Sequence, residues 1–337
     1  MIIIMNPEAN EEDIISLSGL LQEKGFKVSK LKEGKNTIIH LTTKENKPIT
    51  FDFKALPGVE KCIPLAKQER LLDKKVDEKT LKVRVGKEVI GGNKIVMMAG
   101  PCAVESESQI MQIARSIKEI GATFLRGGAY KPRTSPYSFQ GLELEGLKLL
   151  RQAADEYNLK VVSEVTSEKY LDNCLKYCDM LQIGARNMQN FELLKAVGKT
   201  NTAVLLKRSP GAKIEEWLGA AEYIIAEGNR NIVLCERGIN TFENATRYTL
   251  DISAVPIVKS KTSLPIIVDP SHASGNSALI HSLSLASLAA GADGLLIEAH
   301  NDPKFAISDA RQQLTPKEYE KLFLEAKNVS KSIGRKI

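Results

Sequence analysis

Eight short apolar runs alternate with amphipathic stretches over residues 93–337, the chain changes character near residue 66, and a β-α-β-β-α-β order precedes that change. Together these predict an α/β fold, a (β/α)8 TIM barrel preceded by a small α+β ferredoxin-like domain. The runs are 95–99, 123–126, 160–164, 180–183, 203–207, 232–235, 265–269 and 294–298. Parallel strands covered on both faces read as such continuous apolar runs. Helical periodicity separates most of them, at 106–120, 142–157, 167–177, 190–197, 214–227 and 277–290, with a last helix after Pro316. A doubly wound open sheet is the rival, but no G-x-G-x-x-G follows an early strand.

The elements of the first 66 residues follow in order. Ile2–Met5 reads as a strand and Glu11–Lys24 as an amphipathic helix ended by Gly25. Phe26–Leu31 and Thr37–Leu41 read as strands around the turn Glu33-Gly34-Lys35-Asn36. A weaker helix near Pro48–Leu56 and a strand near Val59–Ile63 complete the split motif. So short a segment has a marginal core of its own. Charged residues dominate Lys67–Lys82, which reads as a linker, and Leu81–Val85 with Lys87–Ile90 turn at Gly86 as a small hairpin. The expected organisation is therefore a small domain at 1–66, a linker and hairpin at 67–92, and the barrel at 93–337.

Composition narrows the function classes. The net charge of +6 lies wholly beyond residue 66, since residues 1–66 hold nine lysines against nine acidic residues. No basic run or aromatic-basic interleaving accompanies it, so anionic small molecules are the expected partners and nucleic acid is not. Five scattered cysteines, Cys62, Cys102, Cys174, Cys178 and Cys235, suggest a reducing compartment. Only four apolar residues, Ile2 to Met5, precede a polar stretch, and no run reaches membrane-spanning length. A soluble, cytoplasmic protein is expected.

Barrel enzymes place their chemistry at the carboxyl ends of the strands. There the sequence delivers Cys102, Arg126, Glu164, Arg186, Lys207-Arg208, Glu236-Arg237, Asp269 with His272, and Glu298, with Asp309 further on. Lys131 and Arg133 follow strand two, making a cationic set of Arg126, Lys131, Arg133, Arg186, Lys207, Arg208 and Arg237. Converging like charges repel unless an anion or carboxylates neutralise them, and arginine forks suit phosphate and carboxylate oxygens. A second set, Cys102, His272, Glu298 and Asp309, has the chemistry of a divalent transition-metal site, and its thiol argues against magnesium alone. The spacing is not a local ligand motif, and a structural role for a buried Cys102 stays open at this point. Cys174 and Cys178, at i and i+4, read as one helix face; Cys62, Cys235, His40 and His281 read as structural, and His300 is open.

On these residues the chain resembles 3-deoxy-D-arabino-heptulosonate 7-phosphate (DAHP) synthases, and within them the type I beta subgroup with an N-terminal ferredoxin-like regulatory domain. The resemblance spans the chain and rests on A-G-P-C at 99–102, L-R-G-G-A-Y-K-P-R-T-S-P-Y-S-F-Q-G at 125–141 and Q-I-G-A-R-N at 182–187. L-L-K-R at 205–208, C-E-R-G at 235–238 and V-D-P-S-H at 268–272 add to it. It implies condensation of phosphoenolpyruvate with D-erythrose 4-phosphate and water, the first step of the shikimate pathway to chorismate and the aromatic amino acids. By matching motifs, it places phosphoenolpyruvate contacts on Arg126, Lys131, Arg186, Lys207 and Arg237. Acceptor contacts fall on Pro132, Arg133, Thr134 and Ser135. Metal ligands fall on Cys102, His272, Glu298 and Asp309, for one Mn2+, Fe2+, Co2+ or Zn2+ ion. Ala103 departs from the serine common in relatives and bears at most on an outer contact.

For the chemistry, Lys131 is the candidate proton donor to the new hydroxyl, while Glu164 or a metal-bound water would activate the attacking water. The resemblance further implies tyrosine and/or phenylalanine as inhibitors acting through the small domain, and a homotetramer, with a dimer left open. Three alternatives stand beside it: a 3-deoxy-D-manno-octulosonate 8-phosphate synthase, a Schiff-base aldolase using Lys207, and a non-catalytic metabolite sensor.

Overall fold

The computed structural model describes residues 2–33, 36–42, 53, 56–63, 71–74, 78–133 and 135–337. The chain divides into two compact units, Met1–Arg70 and Leu71–Ile337.

In the first unit, β1 (Ile2–Met5), β2 (Lys27–Glu33), β3 (Asn36–Thr42) and β4 (Val59–Ile63) form one sheet in the order β2-β3-β1-β4, with every neighbour antiparallel. This is the ferredoxin-like order, in which β1 lies between strands distant in sequence. Helix α1 (Glu11–Glu23) starts at Asn10, whose side chain accepts from Asp13 N–H. The unit's core is Ile3, Met5, Leu17, Leu21, Ile39, Leu41 and Phe53. The helix expected near Pro48–Leu56 falls mostly outside the described residues, as do Gly34 and Lys35 of the expected turn.

The second unit opens with a hairpin, β5 (Val83–Val85) and β6 (Glu88–Ile90). Eight parallel strands then close a barrel: β7 (Val96–Gly100), β8 (Phe124–Arg126), β9 (Lys160–Glu164), β10 (Met180–Ile183), β11 (Ala203–Lys207), β12 (Ile232–Glu236), β13 (Ile266–Val268) and β14 (Gly294–Glu298). Closure is made by β14 against β7, with Glu298 opposite Gly100. Residues 71–82, expected as a free linker, are in their described parts tied to the barrel. Leu71 N–H donates to Glu222, Lys74 N–H to the Lys261 carbonyl, and Leu81 N–H to that of Ser263.

Side chains alternate along these strands. Met98, Phe124, Val162, Met180, Leu205, Val233, Cys235, Ile267 and Leu296 fill the interior, joined by Val83, Val85 and Ile90 of the hairpin. The hairpin closes the amino-terminal end, where a Cβ at Gly86 would meet Lys160, the first residue of β9. The other set, among them Met97, Leu125, Val161, Leu181, Leu206, Leu234 and Leu295, packs outward against the helices. That layer includes α2 (Glu107–Ile120), α3 (Glu143–Glu156), α4 (Leu171–Tyr177), α5 (Phe191–Gly198) and α6 (Ile214–Ala226). It continues with α7 (Ala254–Lys261), α8 (Pro270–Ser274), α9 (Ser277–Ala289) and α10 (Pro316–Ser332). Cys174 is fully buried in it, Cys178 nearly so, and Trp217 of α6 donates from its indole nitrogen to the Leu206 carbonyl. Among the described residues no helix is long and apolar enough to cross a membrane.

Candidate active site

At the carboxyl end of the barrel the interior positions change from apolar to charged. Continuing the alternation of each strand by one step places Arg126, Glu164, Gln182, Lys207, Arg237, Asp269 and Glu298 in one layer above the apolar core. Over this layer lies a cavity of about 390 Å³, whose lining includes Arg126, Lys131, Arg133, Arg186, Lys207 and Arg237. The sequence had placed these six together, and Pro132, Ser135, Glu164, His272 and Asp309 also line it. Thr134 lies outside the described residues.

Two glycines make room for this geometry. A Cβ at Gly100 would stand 2.0 Å from the Arg126 carbonyl oxygen, and its φ of +147° is one that L-residues rarely adopt. The glycine lets β7 and β8 approach closely just where the chain turns to Cys102. At Gly184 a Cβ would stand 2.0 Å from Glu164 Oε1, so this position must be bare for the carboxylate to lie where it does. Gln182 then donates to Glu164 Oε2 at 3.1 Å.

The buried cations are each engaged. Arg126 Nη1 donates to Glu298 Oε1 (2.8 Å) and to the Pro101 carbonyl (2.7 Å), while its buried Nε has no partner among the described residues. Lys207 pairs with Asp269 Oδ2, which also lies 2.7 Å from His272 Nδ1. Burial opposes ionisation of Asp269, but the charges of His272 and Lys207 outweigh it and hold its carboxyl well below the usual range. Arg237 stacks on the Tyr248 ring at 4.3 Å. Nearer the mouth, Arg186 Nη1 reaches the Pro132 carbonyl at 3.4 Å and Arg133 Nη1 donates to Ser308 Oγ at 2.8 Å.

Arg208, expected in the cationic set, does not join it. It stands one residue past Lys207 and so projects from the opposite face of the strand. There it donates to Glu236 (3.1 Å), Asp251 (2.8 Å) and the Ala212 carbonyl (3.0 Å). The seventh cation of the cavity is instead Arg247, from the loop between β12 and α7. Sequence reasoning passed over it, together with Tyr248 and Gln182. The strand alternation alone could have found Gln182; nothing periodic marks the loop.

The second set also converges. Candidate ligand atoms of Cys102, Glu298 and Asp309 lie within 4.8 Å of one another, and His272 Nε2 lies 3.5 Å from Glu298 Oε1. Donor atoms around one ion at about 2.0–2.3 Å span comparable distances, and a thiol with two carboxylates suits a transition metal. Asp269 holds His272 through its backbone, Oδ1 accepting from His272 N–H at 2.9 Å, while Oδ2 lies beside Nδ1 outside hydrogen-bond geometry. Burial, and next the Glu298 charge, push the Cys102 thiol up to about 12, so a metal taking this sulfur must displace its proton. Glu298 itself lies below its usual range: burial opposes this, but His272 and Arg126 prevail. Lys131 Nζ joins the two sets, 2.9 Å from the Cys102 carbonyl and 3.0 Å from its Sγ. His300 is not part of the set; its Nδ1 accepts from Asp302 N–H and its Nε2 faces Glu105 at 3.5 Å.

The model of the DAHP synthetase I family matches residues 72–334, and that of the DAHP synthase ferredoxin-like domain matches residues 1–67. A phospho-2-dehydro-3-deoxyheptonate aldolase of Thermotoga maritima is 43% identical over 337 residues, the whole of both chains. A 2-dehydro-3-deoxyphosphooctonate aldolase of Koribacter versatilis is 32% identical over 246 residues, 67% of this chain and 87% of its own. Among solved structures, the Thermotoga maritima phospho-2-dehydro-3-deoxyheptonate aldolase (DAHP synthase) superposes with a TM-score of 0.94 at 42% identity, over 99% of this chain and 98% of that one. A truncated form of the enzyme from the same organism superposes at 0.74 with 44% identity, over 79% of this chain and 98% of its own.

Proposed function

Since this chain belongs to the DAHP synthetase I family, we propose that it condenses phosphoenolpyruvate with D-erythrose 4-phosphate and water, releasing DAHP and inorganic phosphate. The observation that carries this reading is a cation-lined cavity that Asp309 and His272 also line, with Lys131 reaching from it to Cys102 of the buried Cys-Glu-Asp cluster. The two substrates bring two phosphates and a carboxylate, about five negative charges, and a cavity lined by cations offsets them.

Arg126, Arg186, Lys207 and Arg237 bind phosphoenolpyruvate, and the partnerless Arg126 Nε is a donor that a bound anion would satisfy. Pro132, Arg133, Thr134 and Ser135 hold the aldose phosphate. Cys102, His272, Glu298 and Asp309 hold one divalent transition ion, which when bound supplies Lewis acidity to the acceptor aldehyde. Carbon 3 of the enol phosphate forms the new bond to the aldehyde carbon, and Lys131 Nζ gives its proton to the oxygen that becomes the hydroxyl. Water then adds at carbon 2 and gives a proton to Glu164, held in place by Gln182. The carbon–oxygen bond to phosphate breaks last, the departing phosphate takes the proton of the remaining carbon-2 hydroxyl, and the ketone is left. Lys207 serves here as a cation rather than a nucleophile, since its ammonium is tied to the buried Asp269, and a Schiff-base route has no support in this site.

The acceptor tests the reading. Phosphate release from phosphoenolpyruvate is expected with erythrose 4-phosphate and not with arabinose 5-phosphate. Release with the five-carbon sugar alone would instead favour the octulosonate reaction of the Koribacter relative.

Regulation belongs to the small domain in this reading, with the enzyme working as a homotetramer. The domain has its own cleft of about 440 Å³, lined by the segment between β1 and α1, by α1 and by residues of β2 and β3, including Asn6, Ile14, Ile15, Lys30 and Leu31. A cleft that mixes Ile14, Ile15 and Leu31 with Asn6, Glu11, Lys30 and Lys32 can take the ring and the charged ends of tyrosine or phenylalanine, whose binding must favour one arrangement of the enzyme over another. Deleting residues 1–66 is expected to leave an active barrel that neither amino acid inhibits, measured as initial rate against inhibitor concentration. Equal sensitivity in the truncated enzyme would contradict the role.

A further inference from the structure

The segment after Asp309 is bonded to two members of the Cys102–Glu298–Asp309 cluster. Asp309 adopts a left-handed conformation (φ +51°, ψ +36°), a 3-10 turn covers Ala310–Gln312, and Leu314 N–H then donates to the Glu298 carbonyl at 2.8 Å. Between them Gln312 and Gln313 are both buried, 3% and 2% exposed, and each spends both ends of its amide on this site. Gln312 Nε2 donates to Glu298 Oε2 at 2.6 Å, and its Oε1 accepts from Arg247 Nη1 at 3.2 Å. Gln313 Oε1 accepts from Cys102 N–H at 3.0 Å, and its Nε2 donates to the Ser308 carbonyl at 2.8 Å.

The chemistry of the partners fixes which way each amide points. A carboxylate and a carbonyl only accept; a guanidinium and a backbone N–H only donate. Each position therefore needs one donor and one acceptor on the same planar group, at this reach, which is what glutamine supplies. A carboxylate at 312 would face that of Glu298, and one at 313 would face the Ser308 carbonyl. An apolar side chain would leave buried polar partners unsatisfied.

We propose that Gln312 and Gln313 are positioning residues for the metal centre, Gln312 orienting the Glu298 carboxylate and Gln313 fixing the backbone that presents Cys102 Sγ. One short segment thus supplies Asp309 as a ligand and sets two others. Through Arg247, which also lies 3.7 Å from Asp309, the arrangement reaches the anion-binding side of the cavity. The inference rests on the metal reading of Cys102, Glu298 and Asp309.

The test is a Co2+ titration of metal-stripped full-length protein, read by the near-ultraviolet thiolate-to-cobalt band and by binding affinity, with Cys102→Ala as the reference lacking the sulfur. Wild type is expected to take one Co2+ with the band present, and Gln312→Met and Gln313→Met to bind about 10–100-fold more weakly. Gln313→Met is expected also to shift or weaken the band. Metal-free melting of both variants should fall by only a few degrees, the cost of the polar partners left unsatisfied. Unchanged affinity and band in both variants would overturn the inference, as would metal-free variants that melt well below wild type, which would make the glutamines supports of the fold. No Co2+ uptake by wild type itself would overturn the metal reading beneath it.

Discussion

Lys131→Ala is expected to lower kcat by about 10²–10⁴-fold while the purified protein keeps its metal and its fold. The magnitude is that of a positioned general acid removed from the transition state. The expectation comes from where Nζ lies: inside the cavity, held by the carbonyl and sulfur of Cys102 rather than by a carboxylate partner. There it can reach an acceptor oxygen presented to the Cys-Glu-Asp cluster and still belong to the cationic lining. Steady-state kinetics and metal analysis on one preparation separate the alternatives. Normal turnover would remove the donor role, and joint loss of metal and turnover would make Lys131 a holder of Cys102.

The second large effect is expected at Arg126, where binding and stability are joined. Arg126 and Glu298 are an ion pair with side chains only 6% and 1% exposed, and the same residue lines the cavity, where the proposed reading puts it on phosphoenolpyruvate. Arg126→Met keeps much of the volume but removes the charge, leaving Glu298 buried with Gln312 and His272. Breaking one side of such a pair costs about 3–5 kcal/mol, so chelator-treated protein should melt on the order of 10 °C lower. An added divalent ion gives Glu298 a new counter-charge and should recover part of that loss. The KM for phosphoenolpyruvate should rise even in the metal-loaded variant. Unchanged melting with and without metal would show that Glu298 does not depend on this partner.

Much of this site was legible because the barrel strands obey a simple alternation. Interior Leu205 and Cys235 predict interior Lys207 and Arg237, and interior Phe124 and Leu296 predict Arg126 and Glu298. Arg208 was misplaced because its position at a strand end was read without its face. Strand limits moved by one residue where polar groups intervene: β13 stops at Val268 because the Asp269 side chain caps α8, accepting from His272 N–H. Helix α7 has no counterpart among the expected elements: Pro256 interrupts the apolar run 254–258, and Val255 and Val258 pack on the barrel as one helix face. Arg247 and the two glutamines were missed for a different reason. The partners of Gln312 lie 65 and 14 residues away and one of the two partners of Gln313 lies 211 away, and the closed barrel brings these together.

The most direct test of the central claim is phosphate release from phosphoenolpyruvate by the purified full-length protein with erythrose 4-phosphate, before EDTA, after it, and after Mn2+ is restored. The proposed reading, cations on both phosphates beside a required metal, predicts release that stops with the chelator and returns with the ion. Full release in the thoroughly chelated protein would contradict the role given to Cys102, His272, Glu298 and Asp309. No release with the sugar phosphate after metal is restored would contradict the condensation itself.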